Sequence, residues 1–423
     1  MKNKSNALLV SLSLLLASSA TSWIHAETAA NWAQWRGVNR QGHSPDTGLL
    51  KTWPEAGPKQ VWMYKDAGVG YAGYSIVNGK LFTMGARDGK AYLICLKDSD
   101  GSEQWVLELD SVLENGWGDG PRATPTVDGE HVYAMSGSGE LVCAKLADGK
   151  KVWSTNMIKD HGGKMQSWGY TESVLIDDDK IICTPGGDKG ALLALDKKTG
   201  KKVWQSEDLK VNAQYASPIV IEHGGARQYV QLFQKDLAGF HADTGKVLWK
   251  TDYPKGRTAV IPTPIYSEGM IYITAGYDAG CKAIKLGPKN EVEVVYAKEE
   301  MSNHHGGVIL VDGHLYGYHS NRGGWMCQNL KSGEIVWTEK SKLGKGAIAY
   351  ADGMLYCLGE KKGTVVLIEA SPKGWKEASR FELDPQSEIR KPRGRIWTHP
   401  VIVGGRLYLR DQDIVYCYDV SGK

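Results

Sequence analysis

Short apolar runs recur along most of this chain, and several are followed by a turn in which Asp or Thr precedes Gly. In Ala147–Trp153 (ADGKKVW) the turn is followed by a short return strand that ends in Trp, and the apolar run Leu141–Leu146 (LVCAKL) precedes it. Gly allows the positive φ of a tight turn, and the large Trp anchors the returning strand against its neighbours. A second hairpin, Thr126–Met135, lies upstream. The pattern therefore predicts a repeat of four short strands.

This unit returns at the spacing of β-propeller blades. Further copies of the turn and its Trp lie at Lys198–Trp204, Asp243–Trp249 and Lys331–Trp337, and a looser copy lies at Ser99–Trp105. Eight aromatic residues occupy the expected place in a fourth strand: Trp62, Trp105, Trp153, Trp204, Trp249, Tyr296, Trp337 and Phe381. The count predicts eight blades.

The last repeat shows how the ring closes. Thr398–Asp419 holds three strands and is followed only by the start of a turn, whereas Gln60–Lys65 (QVWMYK) resembles a fourth strand and has no blade before it. Joining these ends removes an exposed sheet edge. We therefore predict an all-β, eight-bladed β-propeller of four-stranded antiparallel blades over 60–423, closed by an N-terminal strand. A solenoid of stacked repeats is the competing architecture, and the split terminal repeat favours closure.

The first residues have the charge and length of a signal peptide. Lys2 and Lys4 precede an apolar run, Ala7–Ala17, that is short for a membrane span. We expect a signal peptide at 1–26, cleaved after Ala20 or Ala26. The first cysteine is Cys95, which argues against a lipoprotein. The predicted product is a soluble periplasmic or secreted protein, without a transmembrane segment in the mature chain.

Between the signal peptide and the first blade, an arm at 27–59 is rich in Gly, Pro and Trp. It contains Trp32–Gly37 (WAQWRG) and Trp53–Pro58 (WPEAGP) and lacks a strand period. We predict that the arm packs across the ring. The alternative is an arm that reaches toward the central funnel.

Composition narrows the range of functions. The formal net charge is +3 over 423 residues, and no basic run indicates nucleic-acid binding. The seven cysteines lie mostly inside strand patterns and include no CxxC pair. They are therefore predicted to be buried free thiols, and neither a zinc site nor a haem attachment is indicated.

The opening WAQWRGVNRQG, the turn-plus-Trp copies and the eightfold count together resemble the pyrroloquinoline-quinone (PQQ)-repeat β-propellers, an exported bacterial group. The resemblance covers nearly the whole mature chain and implies the propeller fold. The same repeat builds quinone-dependent dehydrogenases and a noncatalytic scaffold of outer-membrane β-barrel assembly. It implies PQQ with a divalent cation such as calcium as candidate cofactors. The adjacent cysteines of the large quinoprotein alcohol dehydrogenases and a haem domain are missing here, which weakens that implication.

Candidate site residues lie in the connections that lead from the fourth strand of one blade to the first strand of the next. These connections share one face of a propeller and approach its channel, so distant positions converge there. Guanidinium groups suit carboxylates or phosphates, and flat aromatic faces suit a planar ligand. The predicted ligand-binding residues are Arg122, Trp168, Tyr170, Tyr215, Arg257, His304, His305, Arg395, Trp397 and His399.

Three interpretations remain open for this set. The first is a binding or scaffold module of the cell envelope, monomeric, whose partner is an envelope protein, a peptide or a glycan. The second is a PQQ-dependent alcohol or sugar dehydrogenase, for which Asp119 and Glu172 are the candidate bases or cation ligands. In the third, the side chains only tie the first strands together. Adjacent His304 and His305 could share a metal only in an irregular loop, so a metal site stays unassigned.

Overall fold

The computed structural model describes residues 31–252, 259–320 and 323–422, and within these ranges every regular element is a β-strand. The strands form eight four-stranded antiparallel sheets. The predicted eight-bladed β-propeller is therefore confirmed. The predicted signal peptide and Arg257 lie outside the described residues.

The strands follow the predicted order. The first strand of the chain is β1 (Lys59–Tyr64). Blades one to four are built in chain order from β2 (Ser75–Val77), β3 (Lys80–Arg87), β4 (Lys90–Lys97), β5 (Glu103–Ser111), β6 (Thr126–Asp128), β7 (His131–Met135), β8 (Glu140–Lys145), β9 (Lys151–Asn156), β10 (Leu175–Asp177), β11 (Lys180–Cys183), β12 (Leu193–Asp196), β13 (Lys202–Gln205), β14 (Ile219–His223), β15 (Ala226–Leu232), β16 (Asp236–His241) and β17 (Val247–Asp252).

The second half of the ring repeats the arrangement. Blades five to seven are built from β18 (Ile265–Ser267), β19 (Met270–Ala275), β20 (Gly280–Leu286), β21 (Val292–Lys298), β22 (Val308–Val311), β23 (His314–Tyr318), β24 (Trp325–Asn329), β25 (Ile335–Glu339), β26 (Gly346–Ala351), β27 (Met354–Gly359), β28 (Thr364–Glu369) and β29 (Glu377–Glu382). Blade eight holds β30 (Val401–Val403), β31 (Arg406–Asp411) and β32 (Ile414–Asp419). First strands of neighbouring blades contact one another, as β2 and β6 do, so the first strands surround the channel.

The ring closes as predicted from its two ends. Strand β1 pairs antiparallel with β32, with Lys59 opposite Asp419 and Tyr64 opposite Val415. The sheet order β1-β32-β31-β30 makes β1 the outer strand of blade eight. Because β1 pairs with β32, the outer edge of β32 is covered and does not remain unpaired.

The repeated Gly and Trp hold neighbouring blades together. Gly200, in the turn after β12, has φ of 69°, and a Cβ built on it would lie 2.6 Å from the ring of Trp153 in the preceding blade. The Trp153 Nε1 donates to the carbonyl of Lys197, 3.2 Å away, in the same turn. Gly is therefore required both for the backbone conformation and for the close approach of the ring. The predicted anchoring role of the Trp is confirmed.

Hydrophobic cores lie between adjacent sheets. The cluster around Trp62, for example, joins Val415 and Tyr408 of blade eight to Leu81 and Ile94 of blade one. All seven cysteines are buried and free, as predicted. Within the described ranges, no helix has the length and apolar character needed to cross a membrane.

Candidate functional site

The connections between blades converge on one cavity of about 440 Å³. All eight connections from a fourth strand to the next first strand contribute to its walls, and three turns between second and third strands add to them. The lining residues are Trp35, Tyr71, Trp117, Arg122, Trp168, Thr171, Ser173, Tyr215, Ser217, Ala259, Ile261, Tyr277, His304, His305, Ser320, Lys345, Glu360, Lys361, Arg393, Arg395, Trp397 and His399.

Aromatic rings form much of the wall. The rings of Tyr71 and Trp397 lie 4.8 Å apart, and those of Trp168 and Tyr215 lie 5.5 Å apart, measured between centroids. The Arg122 guanidinium lies over the Tyr71 ring at 5.1 Å. Trp117 is 43 % exposed. The cavity therefore offers flat apolar faces to a ligand, with a cation beside one of them.

Cationic side chains outnumber acidic ones in the cavity. Among the described lining residues, Arg122, Arg393, Arg395, Lys345 and Lys361 are cationic groups and Glu360 is the one carboxylate. Low-dielectric walls strengthen the field of this unbalanced positive charge. The cavity is therefore suited to an anionic ligand.

Two of these arginines are fixed by their own loops. Arg122 donates to the carbonyls of Gly118 and Gly120 at 2.7 and 2.9 Å, and burial lowers the pKa of its guanidinium. Arg395 donates to the carbonyls of Pro392 and Gly394. Each guanidinium is therefore oriented by its own loop.

A polar cluster surrounds Glu360. Trp397 Nε1 donates to its carboxylate at 3.1 Å, His305 Nε2 lies 3.4 Å from it and Lys345 Nζ lies 3.9 Å from it. Lys345 also donates to His304 Nδ1 at 2.8 Å. Glu360 therefore accepts a hydrogen bond from Trp397 and lies beside Lys345 and His305 on one wall of the cavity.

Burial controls the protonation of this cluster. It raises the pKa of Glu360, an effect that the Lys345 charge opposes, and it lowers the pKa of Lys345. It also lowers the pKa of His304 to about 3 and holds the pKa of His305 well below its usual range. Both imidazoles are therefore neutral at pH 7, when Glu360 can accept a proton more readily than an exposed carboxylate.

Several predicted ligand residues do meet at the cavity. They are Arg122, Trp168, Tyr215, His304, His305, Arg395, Trp397 and His399. His399 is almost fully buried, and its Nε2 donates to the carbonyl of His305 at 2.7 Å. Tyr170 is buried behind the wall, where its hydroxyl donates to the carbonyl of Pro185 at 2.9 Å. The convergence of the connections is thus observed, with Tyr170 set back from the lining.

The two predicted catalytic carboxylates lie away from the lining. Asp119 pairs with Lys391 at 2.7 Å and accepts from the amide of Asn115. Glu172 is 1 % exposed and accepts from the amide of Thr184. Burial raises the Glu172 pKa to about 7, against the opposing charge of Arg40. Their catalytic role stays a prediction, and Glu360 is the carboxylate that the fold brings to the cavity.

Sequence reasoning missed the residues that come from other places in the blades. Glu360 and Lys361 follow β27, Tyr277 follows β19, and Trp35 belongs to the N-terminal arm. The turns between second and third strands face the same side as the interblade connections in an antiparallel blade. That rule could have directed attention to Glu360. Trp117 and Arg393 were not predicted, although they lie in the same interblade connections as the predicted residues Arg122 and Arg395.

Comparison with protein families places the chain. Residues 89–339 match the family model PQQ_2, described as outer membrane protein assembly factor BamB. The match covers more than half of the chain. The protein therefore belongs to this family of PQQ-repeat β-propellers.

Individual relatives are distant. Over 157 residues the chain is 26 % identical to the quinohemoprotein alcohol dehydrogenase ADH IIB of Pseudomonas putida, covering 34 % of this chain. The matched part spans only 21 % of that relative's length. BamB from Moraxella catarrhalis superposes with a TM-score of 0.63 at 15 % identity, covering 86 % of this chain and 99 % of BamB. The quinohemoprotein alcohol dehydrogenase from Comamonas testosteroni superposes with a TM-score of 0.62 at 12 % identity, covering 94 % of this chain and 82 % of the dehydrogenase. These structural likenesses show the fold alone.

The lining residues fit the two candidate cofactors unequally. Arginines and aromatic faces are suited to PQQ, which is a planar ring system carrying carboxylates. Calcium takes six to eight oxygen ligands, commonly from several carboxylates. Among the described residues, no group of three or more His, Cys, Asp and Glu side chains is arranged to hold a metal. The described part of the cavity therefore fits the quinone and does not fit a calcium ion.

Proposed function

We propose that this protein is an exported binding module of the cell envelope, and that its cavity holds an anionic, planar ligand. One observation carries the proposal: among the described lining residues, five cationic side chains and several aromatic rings meet in one cavity beside a single carboxylate. The family's description as an assembly factor and the predicted signal peptide support an envelope location.

The physical match is specific. Guanidinium groups pair with carboxylates through two parallel hydrogen bonds, and the loop carbonyls already orient Arg122 and Arg395. Aromatic faces add stacking on a flat ligand. The volume of about 440 Å³ lies in the range typical of small-molecule sites, roughly 300–1,000 Å³.

Glu360 favours a second candidate function, a quinone-dependent dehydrogenase. When bound, PQQ would supply the acceptor for the electrons of an alcohol or sugar. Glu360, with its raised pKa, would take the proton from the substrate hydroxyl, while Lys345 and Trp397 hold its carboxylate. The poor fit to calcium weighs against this candidate, which therefore stands second.

A titration with PQQ, by calorimetry and by the absorbance of the ligand, tests the binding proposal. We expect saturable binding that weakens by about a hundredfold when Arg122→Ala and Arg395→Ala are combined, because two charge-assisted pairs are lost. Arg380→Ala is the matched control, since Arg380 is exposed on β29 and pairs with Glu377. Equal affinity of the double variant and the control would contradict the proposal.

Glu360→Gln separates the two functions. A binding module keeps its affinity for PQQ in this variant. A dehydrogenase keeps the affinity and loses turnover of alcohols or sugars with an artificial electron acceptor. Wild-type protein that binds PQQ without turnover, with or without added calcium, would eliminate the second candidate.

A further inference from the structure

We infer that residues 32–46 of the N-terminal arm, the channel plug, close the channel and hold Trp35 at the floor of the cavity. The ligand is then a small molecule that enters and leaves by one mouth, rather than a polymer threaded through the ring. This inference rests on the proposed function and narrows its ligand class.

The channel plug bonds to the inner edge of every blade. In blades one to seven, its partners lie in the first strand or directly before it. In blade eight, the partner lies in the turn that follows the first strand, β30. In blade order they are Ile76 with Trp32, Val127 with Ala33, Ser173 and Val174 with Arg40, Pro218 with Arg40, Tyr266 with Gln41, Val308 with Arg36, Tyr350 with Gly42 and Ser44, and Gly405 with Asp46. One short segment therefore ties all eight blades together.

Two buried arginines provide the most connected of these ties. Arg40 is 3 % exposed and donates to the carbonyls of Ser173 at 3.0 Å and Pro218 at 2.9 Å. Arg36 is 5 % exposed and donates to the carbonyl of Val308 and, at 2.9 Å, to that of Gln41. Guanidinium groups carry five N–H donors, so they can satisfy carbonyls that come from different blades.

Trp35 faces the cavity from the channel plug. Its ring is part of the lining and lies 4.7 Å from the ring of His399. Its Nε1 donates to Thr263 Oγ1 at 2.9 Å. His399 in turn donates to the carbonyl of His305 beside Glu360. Trp35 is thus a floor residue, and Arg36 and Arg40 are positioning residues that act through the plug.

Close packing leaves little space beneath this floor. A Cβ built on Gly42 would lie 2.6 Å from Ile309 of β22. A Cβ built on Gly37 would lie 2.9 Å from the ring of Trp32. The plug therefore packs closely on itself and on blade six, and on this basis we expect no path past Trp35 for an extended peptide or glycan.

Hydrogen exchange on the full chain tests the plug without any ligand. The backbone amides of Arg40 and Gly42 donate to carbonyls within the plug, and that of Ser44 donates to Tyr350 of blade seven. We expect these three amides to exchange as slowly as those of β6 and β10. Arg40→Met should speed exchange across the plug by about tenfold or more, and Arg40→Lys should restore part of the protection. The control is Lys51→Ala, on the same arm but exposed. Plug amides that exchange as fast as an exposed loop in the wild type would overturn the inference.

Ligand binding then tests the floor. Arg40 does not line the cavity, yet Arg40→Met should weaken PQQ binding by about tenfold because Trp35 loses its support. If that variant does not fold, the test uses the wild-type protein, in which bound PQQ should slow amide hydrogen exchange in the plug. Unchanged plug exchange, with PQQ bound, would overturn the coupling.

Competition tests the ligand class. An oligoglutamate peptide should fail to displace PQQ, and displacement at comparable concentration would overturn the restriction to small ligands. If the plug amides exchange slowly but the protein binds no PQQ, the proposed function is contradicted. The inference that the plug closes the channel is then still supported. Failure of the two ideas is therefore distinguishable.

Discussion

The channel has a filled part and an open part, and arginine serves each of them differently. Arg40, in the filled part, donates to Ser173 and Pro218, which lie 133 and 178 residues away in two different blades. Arg122, in the open part, donates to Gly120 and Gly118, only two and four residues away. The filled part therefore uses guanidinium groups to join blades, whereas the open part fixes them locally and presents them to the cavity.

The charged groups of the filled and open parts also differ in their surroundings. Burial lowers the pKa of Arg40 to about 9 and that of Arg36 to about 10, so both remain charged at neutral pH. Glu172 lies within reach of the Arg40 charge, whereas Glu360 lies beside the cavity. Of these two buried carboxylates, Glu360 lines the described part of the cavity and Glu172 does not.

The largest expected effect is on the filled part. Arg40→Met should lower the free energy of unfolding by about 3 kcal/mol or more, because several buried carbonyls lose their donor at about 1–3 kcal/mol each. Urea unfolding followed by Trp fluorescence measures it. Arg380→Met, on an exposed outer strand, is the control and should cost less than about 0.5 kcal/mol. A similar small cost for both variants would remove the distinction between the two parts.

Low pH should destabilise the folded protein through two buried histidines of the cavity wall, His304 and His399. The pKa of His304 and of His399 is lowered to about 3, chiefly by burial. The folded state therefore binds fewer protons than the unfolded state between about pH 3 and 6.5, and stability falls as pH falls through this window. Each histidine contributes up to about 1.4 kcal/mol per pH unit.

His399→Gln tests this dependence. The melting temperature of the variant should fall less than that of the wild type between about pH 7 and pH 5, because one such histidine is gone. Glu172, with a pKa raised to about 7, contributes stability that is lost as pH rises toward 7, but it is common to both proteins and cancels in their difference. Parallel pH profiles would show that His399 is protonated equally in both states.

The smallest stability effect is expected in the open part. Arg122→Ala combined with Arg395→Ala should change the free energy of unfolding by less than about 1 kcal/mol, because both side chains are only half-buried and bond mainly within their own loops. Urea unfolding of the double variant and of Arg40→Met under the same conditions compares their free energies of unfolding directly. A loss as large as that of Arg40→Met would assign these arginines to the structural interpretation.

Local pattern carries most of the fold. A turn, a return strand and an aromatic residue, which is Trp in six of the eight copies, define each blade within a few dozen residues, so the eight copies could be counted directly. Ring closure followed from the unpaired halves of one repeat, and β1 does pair with β32. The convergence of the interblade connections was also predictable, because it depends on the topology of the repeat rather than on side-chain detail.

The sequence by itself determined the blades and their number, since these depend on short-range backbone preferences. It also determined the closure of the ring and the loops that face the cavity, since these follow from the topology of the repeat. Only the tertiary structure decided which polar side chains remain accessible. Glu172 and Asp119 share the loops of the lining residues yet are bound by Thr184 and Lys391, and Glu360 enters from a turn inside a blade. Such contacts join residues far apart in the chain, as Arg40 joins Pro218, and no local pattern encodes them.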